Sequence, residues 1–148
     1  MKTSEIMTKD ARCVGPDASL VVAARMMRDM NVGSLPVCDD DRVTGVITDR
    51  DITIRAVAED RDPEGTPVRA VMSHEIAYAF EDQDVEDAAR IMEVKQIRRL
   101  PVLNHEKRLV GILALGDLAV EAGMALSGEA LKEISQSASA GAAPGPQS

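Results

Sequence analysis

The sequence predicts a mixed α/β (α+β) protein made of two tandem β-α-β-β-α repeats, packed through their sheets about a pseudo-two-fold axis. Three observations lead there. The chain matches itself when slid by 65 residues: Met7 meets Met72, Ala23–Met27 "AARMM" meets Ala88–Met92 "AARIM", and Leu35–Val37 "LPV" meets Leu100–Val102 "LPV". One extra residue near Lys107 moves the offset to 66, so that Gly45 meets Gly111 and Asp51 meets Asp117. Each half also carries one stretch of helical period, followed by two short apolar runs around a polar turn. Finally, a half of about 60 residues buries too little apolar surface to be stable alone, whereas two halves sharing a core make a sound domain.

The elements follow in chain order. A short strand near Arg12–Gly15 "RCVG", or Ala77–Phe80 "AYAF" in the second copy, leads to Ser19 or Asp84, both good helix N-caps. The first helix places Leu20, Ala23, Ala24, Met27 and Met30 on one face, and its copy repeats this with Val85, Ala88, Ala89 and Met92. The small alanines let a helix lie close to a sheet. "SLPVCDDDRVTGVITD" then reads as strand, acidic turn, strand, and "RLPVLNHEKRLVGILAL" is its counterpart. A second helix closes each repeat, near Asp51–Ala58 and Asp117–Ala125. The connector is Glu59–Pro67, where Thr66-Pro67 is a helix-start signal. The repeats are thus assigned to residues 1–60 and 61–125. Residues 126–148 hold a short helix, Ser127–Ser137 with Leu131 and Ile134 docked, and then a tail poor in charge and bulk that is expected to be disordered.

Composition narrows the function. A formal charge of -8 argues against binding a phosphate backbone, so no nucleic-acid partner is expected. Aromatic residues make up 1% of the chain, which removes base stacking on exposed rings and leaves aliphatics and eight methionines to fill the core. No apolar run suits a signal peptide or a membrane span, so the default location is the cytoplasm, away from membranes. Cys13 and Cys38 are too few for a disulfide framework. With only two distant histidines they make a poor zinc site, and small buried thiols are the simpler reading.

Two β-α-β-β-α copies, each with "LPV" and then a strand-end aspartate, the first in the form "G-(apolar)-(apolar)-T-x-x-D" (Gly45–Asp51), resemble a pair of CBS domains, a Bateman module. The resemblance covers roughly residues 1 to 123, which makes the chain similar to small stand-alone bacterial CBS-pair proteins. It implies a disc-shaped homodimerising pair. It also implies a cleft between the repeats that takes an adenosine nucleotide such as AMP, ADP, ATP or S-adenosylmethionine, with no cofactor required.

The residues of Gly45–Ile52 "GVITDRDI" suit such a ligand. A ribose offers two adjacent hydroxyls, and one carboxylate accepts from both, each charge-assisted bond contributing on the order of 1.5–3 kcal/mol. By the resemblance Asp51 takes that role, and Thr48 points its hydroxyl at phosphate or ribose. Helix-start N–H groups favour an anion, and Arg50 adds charge or faces solvent. Local capping explains the same residues: Thr48 or Asp49 as N-cap, with Asp51 at the positive helix end. The second copy keeps Asp117 but has Ala114 in place of Thr48. It carries Arg98 and Arg99 before "LPV", where the first has Gly33 and Ser34. In the family a basic residue there often holds phosphate; otherwise these are two solvated arginines. Val14, Pro16, Val46 and Ile112 are positioned to sandwich an adenine, or belong to the core.

In the implied fold Cys13 and Cys38 lie on neighbouring strands, close enough for a disulfide that closes the first repeat, although cytoplasmic reduction opposes it. The leading function is a regulatory module that senses an adenosine nucleotide and passes the change to an effector protein yet to be identified. The alternative is a dimeric interaction adaptor with degenerate sites. Catalysis is not expected: no nucleophile–base pair is visible, and His74 and His105 have no recognisable partners.

Overall fold

In a computed structural model the described residues are 1–121. The elements are α1 (Leu20–Met30), β1 (Ser34–Asp39), β2 (Arg42–Thr48), α2 (Asp49–Ile52), β3 (Ala79–Phe80), α3 (Val85–Lys95), β4 (Arg99–Leu103), β5 (Leu109–Ala114) and α4 (Leu115–Glu121). Single 3-10 turns cover Thr3–Glu5 and Val68–Ala70, and α2 runs on into a π-helical turn, Thr53–Val57. The expected Ser127–Ser137 helix, the tail and the end of the last helix lie outside the described residues.

Both long helices are built as their sequences suggest. Ser19 caps α1, its hydroxyl accepting from the Val22 N–H at 3.2 Å. Asp84 holds the cap position of α3 without a side-chain bond. Each helix ends on a left-handed residue, Asn31 and Gln96, at equivalent places in the repeat. Left-handed backbone is costly for a residue with a side chain. At Gln96 the side-chain amide offsets part of that cost by donating to the Glu93 carbonyl at 2.7 Å.

The chain forms two compact units. Among the described residues, one joins Met1–Ala11 to residues 77–121; the other is Arg12–Ile76. The units are therefore cut differently from the sequence repeats, because each repeat's leading segment packs on the other repeat's hairpin. Thr8 pairs with Ile112 on β5, through N–H to carbonyl bonds of 2.8 and 2.9 Å. Ser73, its counterpart at the 65-residue offset, pairs with Val46 on β2 through bonds of 2.9 Å each way. Lys2 with Asp84 and Ser19 with Pro67 repeat the exchange. A hairpin has two edges: Val14 or β3 of the same repeat takes one, and the leading segment of the other repeat takes the second.

In the Arg12–Ile76 unit β1 and β2 are antiparallel, with a bulge at Val37/Cys38. The expected first strand is reduced to one parallel bridge, Val14 to Val37. In the other unit the corresponding strand survives as β3, parallel to β4, which is antiparallel to β5. Proline explains the difference. The β3 pairing is extended by the Glu81 N–H donating to Leu103 at 2.8 Å, but Pro16 stands at the equivalent place and has no N–H to donate.

Each unit has its own core. Leu20, Ala23, Met27, Leu35, Val37 and Ile47 fill one; Ala88, Ala89, Met92, Leu100, Val102 and Leu113 fill the other. The helix faces read from the sequence supply much of both, except that Ala24 and Met30 stay outside the fully buried set. Thr66-Pro67 precedes only the 3-10 turn Val68–Ala70. The Thr66 hydroxyl donates to the Asp62 carbonyl at 2.7 Å instead of capping, since Pro67 is extended at ψ 154.

Candidate functional site

The β2–α2 junction is a reciprocal capping box. Thr48 is extended, and its hydroxyl accepts from the Asp51 N–H at 3.0 Å, while Asp51 Oδ2 accepts from the Thr48 N–H at 3.0 Å. Asp49 N–H donates to the Gly33 carbonyl at 2.9 Å, which ties the start of α2 to the residue before β1. Local capping therefore operates here with Thr48, not Asp49, as the cap. It does not exhaust Asp51, whose Oδ1 and remaining lone pairs stay able to accept. Thr48 and Asp51 are half-buried, and Arg50 is exposed.

The β5–α4 junction repeats the arrangement with one part missing. Asp117 Oδ2 accepts from the Ala114 N–H at 3.3 Å, and Leu115 N–H donates to the Arg98 carbonyl at 2.9 Å. Arg99 pairs with Ala114 across β4 and β5. Arg98, Arg99 and Asp117 thus gather at one strand end, Arg98 half-buried and Arg99 exposed. Ala114 has no hydroxyl to return the bond. Thr48→Ala would make the first junction resemble the second, and is expected to cost about 1 kcal/mol of stability in urea denaturation, the usual worth of a cap.

Strand alternation sorts the apolar candidates. Val46 and Thr48 are half-exposed, whereas Gly45 and Ile47 on the other face are buried. Ile112 and Ala114 stand likewise against Gly111 and Leu113. Val46 and Ile112 therefore flank the two junctions. Val14 does not: it is 2% exposed within the core beside Leu20 and Val37, so it leaves the candidate set. The main-chain bridge that holds it there is the physical reason. The helix-dipole argument also weakens, because α2 aligns only four α-helical residues before the π turn.

Cys13 and Cys38 are free thiols, Cys13 partly exposed and Cys38 buried. The neighbouring Cys38 side chain lowers the Cys13 thiol to about 7, against the opposing effects of burial and of Asp41. Cys13, then burial, pushes the Cys38 thiol up.

One cluster escaped the sequence reading. His105 Nε2 lies 2.7 Å from Asp82 Oδ2, and its ring stacks on Phe80 with centroids 4.6 Å apart. Tyr78 meets Phe80 edge-on at 5.5 Å, and Lys107 Nζ lies over the Tyr78 ring. The chain's single tyrosine and single phenylalanine thus sit together, and His105 does have a partner. The His105 hydrogen bond holds Asp82 below the usual carboxylate range. Alternation along Tyr78–Phe80 was the available signal, but nothing local in sequence links it to His105. Among the described residues no group of three or more His, Cys, Asp or Glu is arranged for a metal, and no helix is long and apolar enough to cross a membrane.

Comparison with known proteins agrees with this architecture. The CBS domain family profile matches residues 4–57 and 68–122. The chain is 42% identical to the CBS domain-containing protein YhcV of Bacillus subtilis, over 88% of this chain and 93% of that one. It is 39% identical to Hypoxic response protein 1 of Mycobacterium tuberculosis, over 78% and 80% respectively. A crystal structure of Hypoxic Response Protein I with two coordinated zinc ions superposes with a TM-score of 0.73 at 36% identity, covering 82% of this chain and 98% of that one. CBSX2 in complex with AMP superposes with a TM-score of 0.69 at 26% identity, covering 82% and 95%. The chain belongs to the CBS domain family, with two copies of the domain.

Proposed function

We propose that this protein is a regulatory module that binds an adenosine nucleotide (AMP, ADP, ATP or S-adenosylmethionine) at a strand-end aspartate. One observation carries the reading: in both repeats the aspartate three residues past the strand end is held by that strand's last amide, Thr48 to Asp51 and Ala114 to Asp117. A carboxylate fixed this way is preorganised to accept both hydroxyls of a ribose, with little entropy left to lose. Thr48 supplies a neighbouring hydroxyl in the first repeat, and Arg50 a cation. In the second repeat Arg98 and Arg99 supply charge for phosphate, as Lys and Arg do generally. Val46 and Ile112 offer apolar surface to the base. The AMP complex of CBSX2 supports the ligand class. Acting as a homodimer in the cytoplasm, the module signals to an effector protein through the ligand's differential affinity for two arrangements.

Thermal melting with each nucleotide tests this. A ligand at 100 times its dissociation constant adds about 2.7 kcal/mol, roughly 5–10 °C for a protein of this size. Asp51→Ala and Asp117→Ala then locate the site. The readout is the ligand-dependent shift, because Asp51→Ala also breaks the capping box and lowers the unliganded melting point. A shift lost in one variant and kept in the other assigns the repeat.

The missing hydroxyl at Ala114 favours a second reading, a dimeric interaction adaptor whose nucleotide sites have degenerated. No shift with any of the four nucleotides would leave that reading standing and remove the first.

A further inference from the structure

Two thiols meet where residues 12–14 lie along β1. The Val14 N–H donates to Pro36 at 3.0 Å, and the Cys38 N–H donates to the Val14 carbonyl at 3.0 Å. This short bridge, Val14 to Val37, brings the residues that flank it, Cys13 and Cys38, to the same place on the β1 edge. Cys13 is partly exposed, and Cys38 is buried at 5% exposure. The repeat's architecture does not require the pair, for Tyr78 and Leu103 occupy the equivalent places in the second copy. Nor does the nucleotide reading use it. Cys13 also follows closely on Ala11, where the chain passes from one compact unit to the other.

We propose that Cys13 and Cys38 form a reversible peroxide-responsive pair, with Cys13 the attacking thiolate and Cys38 the resolving thiol. In the first step the Cys13 thiolate attacks one peroxide oxygen. An S–O bond forms, the O–O bond breaks, and the departing hydroxide takes up a proton to become water. In the second step the Cys38 sulfur attacks the sulfenic sulfur of Cys13. The S–S bond forms, the S–O bond breaks, and the leaving hydroxide takes the Cys38 proton as a second water. Two thiols lose two electrons and one peroxide gains them. A cellular dithiol reverses the bond, as thiol–disulfide exchange allows.

The two cysteines are suited to unlike roles. Cys13 is the more exposed of the two, and the Cys38 side chain beside it favours its thiolate, whereas Cys38 is buried. Asp41, from the β1–β2 turn, is the charged side chain that bears on both sulfurs, and it opposes ionisation of each. Cys38, shielded from peroxide by its burial, is left to attack the sulfenic sulfur of its neighbour.

The test uses the full chain, reduced, treated with one equivalent of hydrogen peroxide, then alkylated and weighed intact. The expected product is monomeric, lighter by two hydrogens, unlabelled at both cysteines, and restored by dithiothreitol. It melts several degrees above the reduced form, because the bond constrains the unfolded chain. Alkylation of Cys13 rises through a midpoint near pH 7 and levels off above it. In Cys38→Ala the Cys13 sulfenic acid accumulates and is trapped by dimedone, and the midpoint moves up. Two labelled thiols after peroxide, disulfides only between chains, or a Cys13→Ser variant that consumes peroxide as fast as the native chain would each overturn the proposal.

Discussion

Leu100→Ala is expected to lower the unfolding free energy by about 2–5 kcal/mol, the range for deleting a fully buried leucine side chain. Leu100 is completely buried, pairs with Leu113 across β4 and β5, and packs in the core that holds Ala88, Ala89 and Met92. The facing elements are a strand pair and a helix, and any void they leave open adds a cavity cost to the lost transfer energy. Against a total stability of about 5–15 kcal/mol, this is a large fraction. Urea denaturation should show a lower midpoint at unchanged slope. Val94→Ala is the control: Val94 is exposed on α3, and its loss should fall within about 0.5 kcal/mol. Equal effects at the two positions would mean that the second unit is not held together by the β4–α3 core.

Gly45→Ala is expected to cost about 1–3 kcal/mol, the usual range for overpacking, and more than Gly111→Ala. An added Cβ at Gly45 would land inside van der Waals contact of the Ser73 carbonyl oxygen. That oxygen is main chain and already accepts from the Val46 N–H at 2.9 Å, so it cannot move without breaking the bridge. At Gly111 the nearest obstacle is Met7 Sδ at 2.5 Å, on a flexible side chain that can swing aside, although the Thr8 carbonyl at 2.9 Å still resists. The two positions are equivalent in the repeat, and the difference lies in what crosses them. Gly45 also precedes Thr48 on the same strand, so a displaced β2 should weaken any nucleotide-induced melting shift along with stability. Identical costs at the two glycines would contradict the contact asymmetry.

Both sites show how far local sequence reaches. Gly45 and Gly111 are visible as a repeated glycine before the strand end, but the reason for it is a segment that arrives from the other half of the chain. A cap at Thr48 or Asp49 with Asp51 at the helix start was legible; that Thr48 is the cap and that Asp51 returns the bond came from the structure. The Thr48–Asp51 and Ala114–Asp117 contrast was legible, since the two residues of each pair are three apart. The removal of Val14 was not, because alternation alone does not tell a strand facing ligand from one bridged into a core. His105 looked isolated because Asp82 and Phe80 lie on a different element.

By itself the sequence determined the duplication, the two helix faces, the two hairpins, the strand-end aspartates and, through the matched motifs, the family. These follow from periods and spacings that act over a few residues, or from one offset repeated along the chain. The tertiary structure alone decided that the leading segments change places and that Pro16 shortens the first strand to a bridge. Those outcomes depend on which strand edge lacks a partner and which backbone group has no hydrogen to donate, and such groups are satisfied only when distant parts of the chain meet.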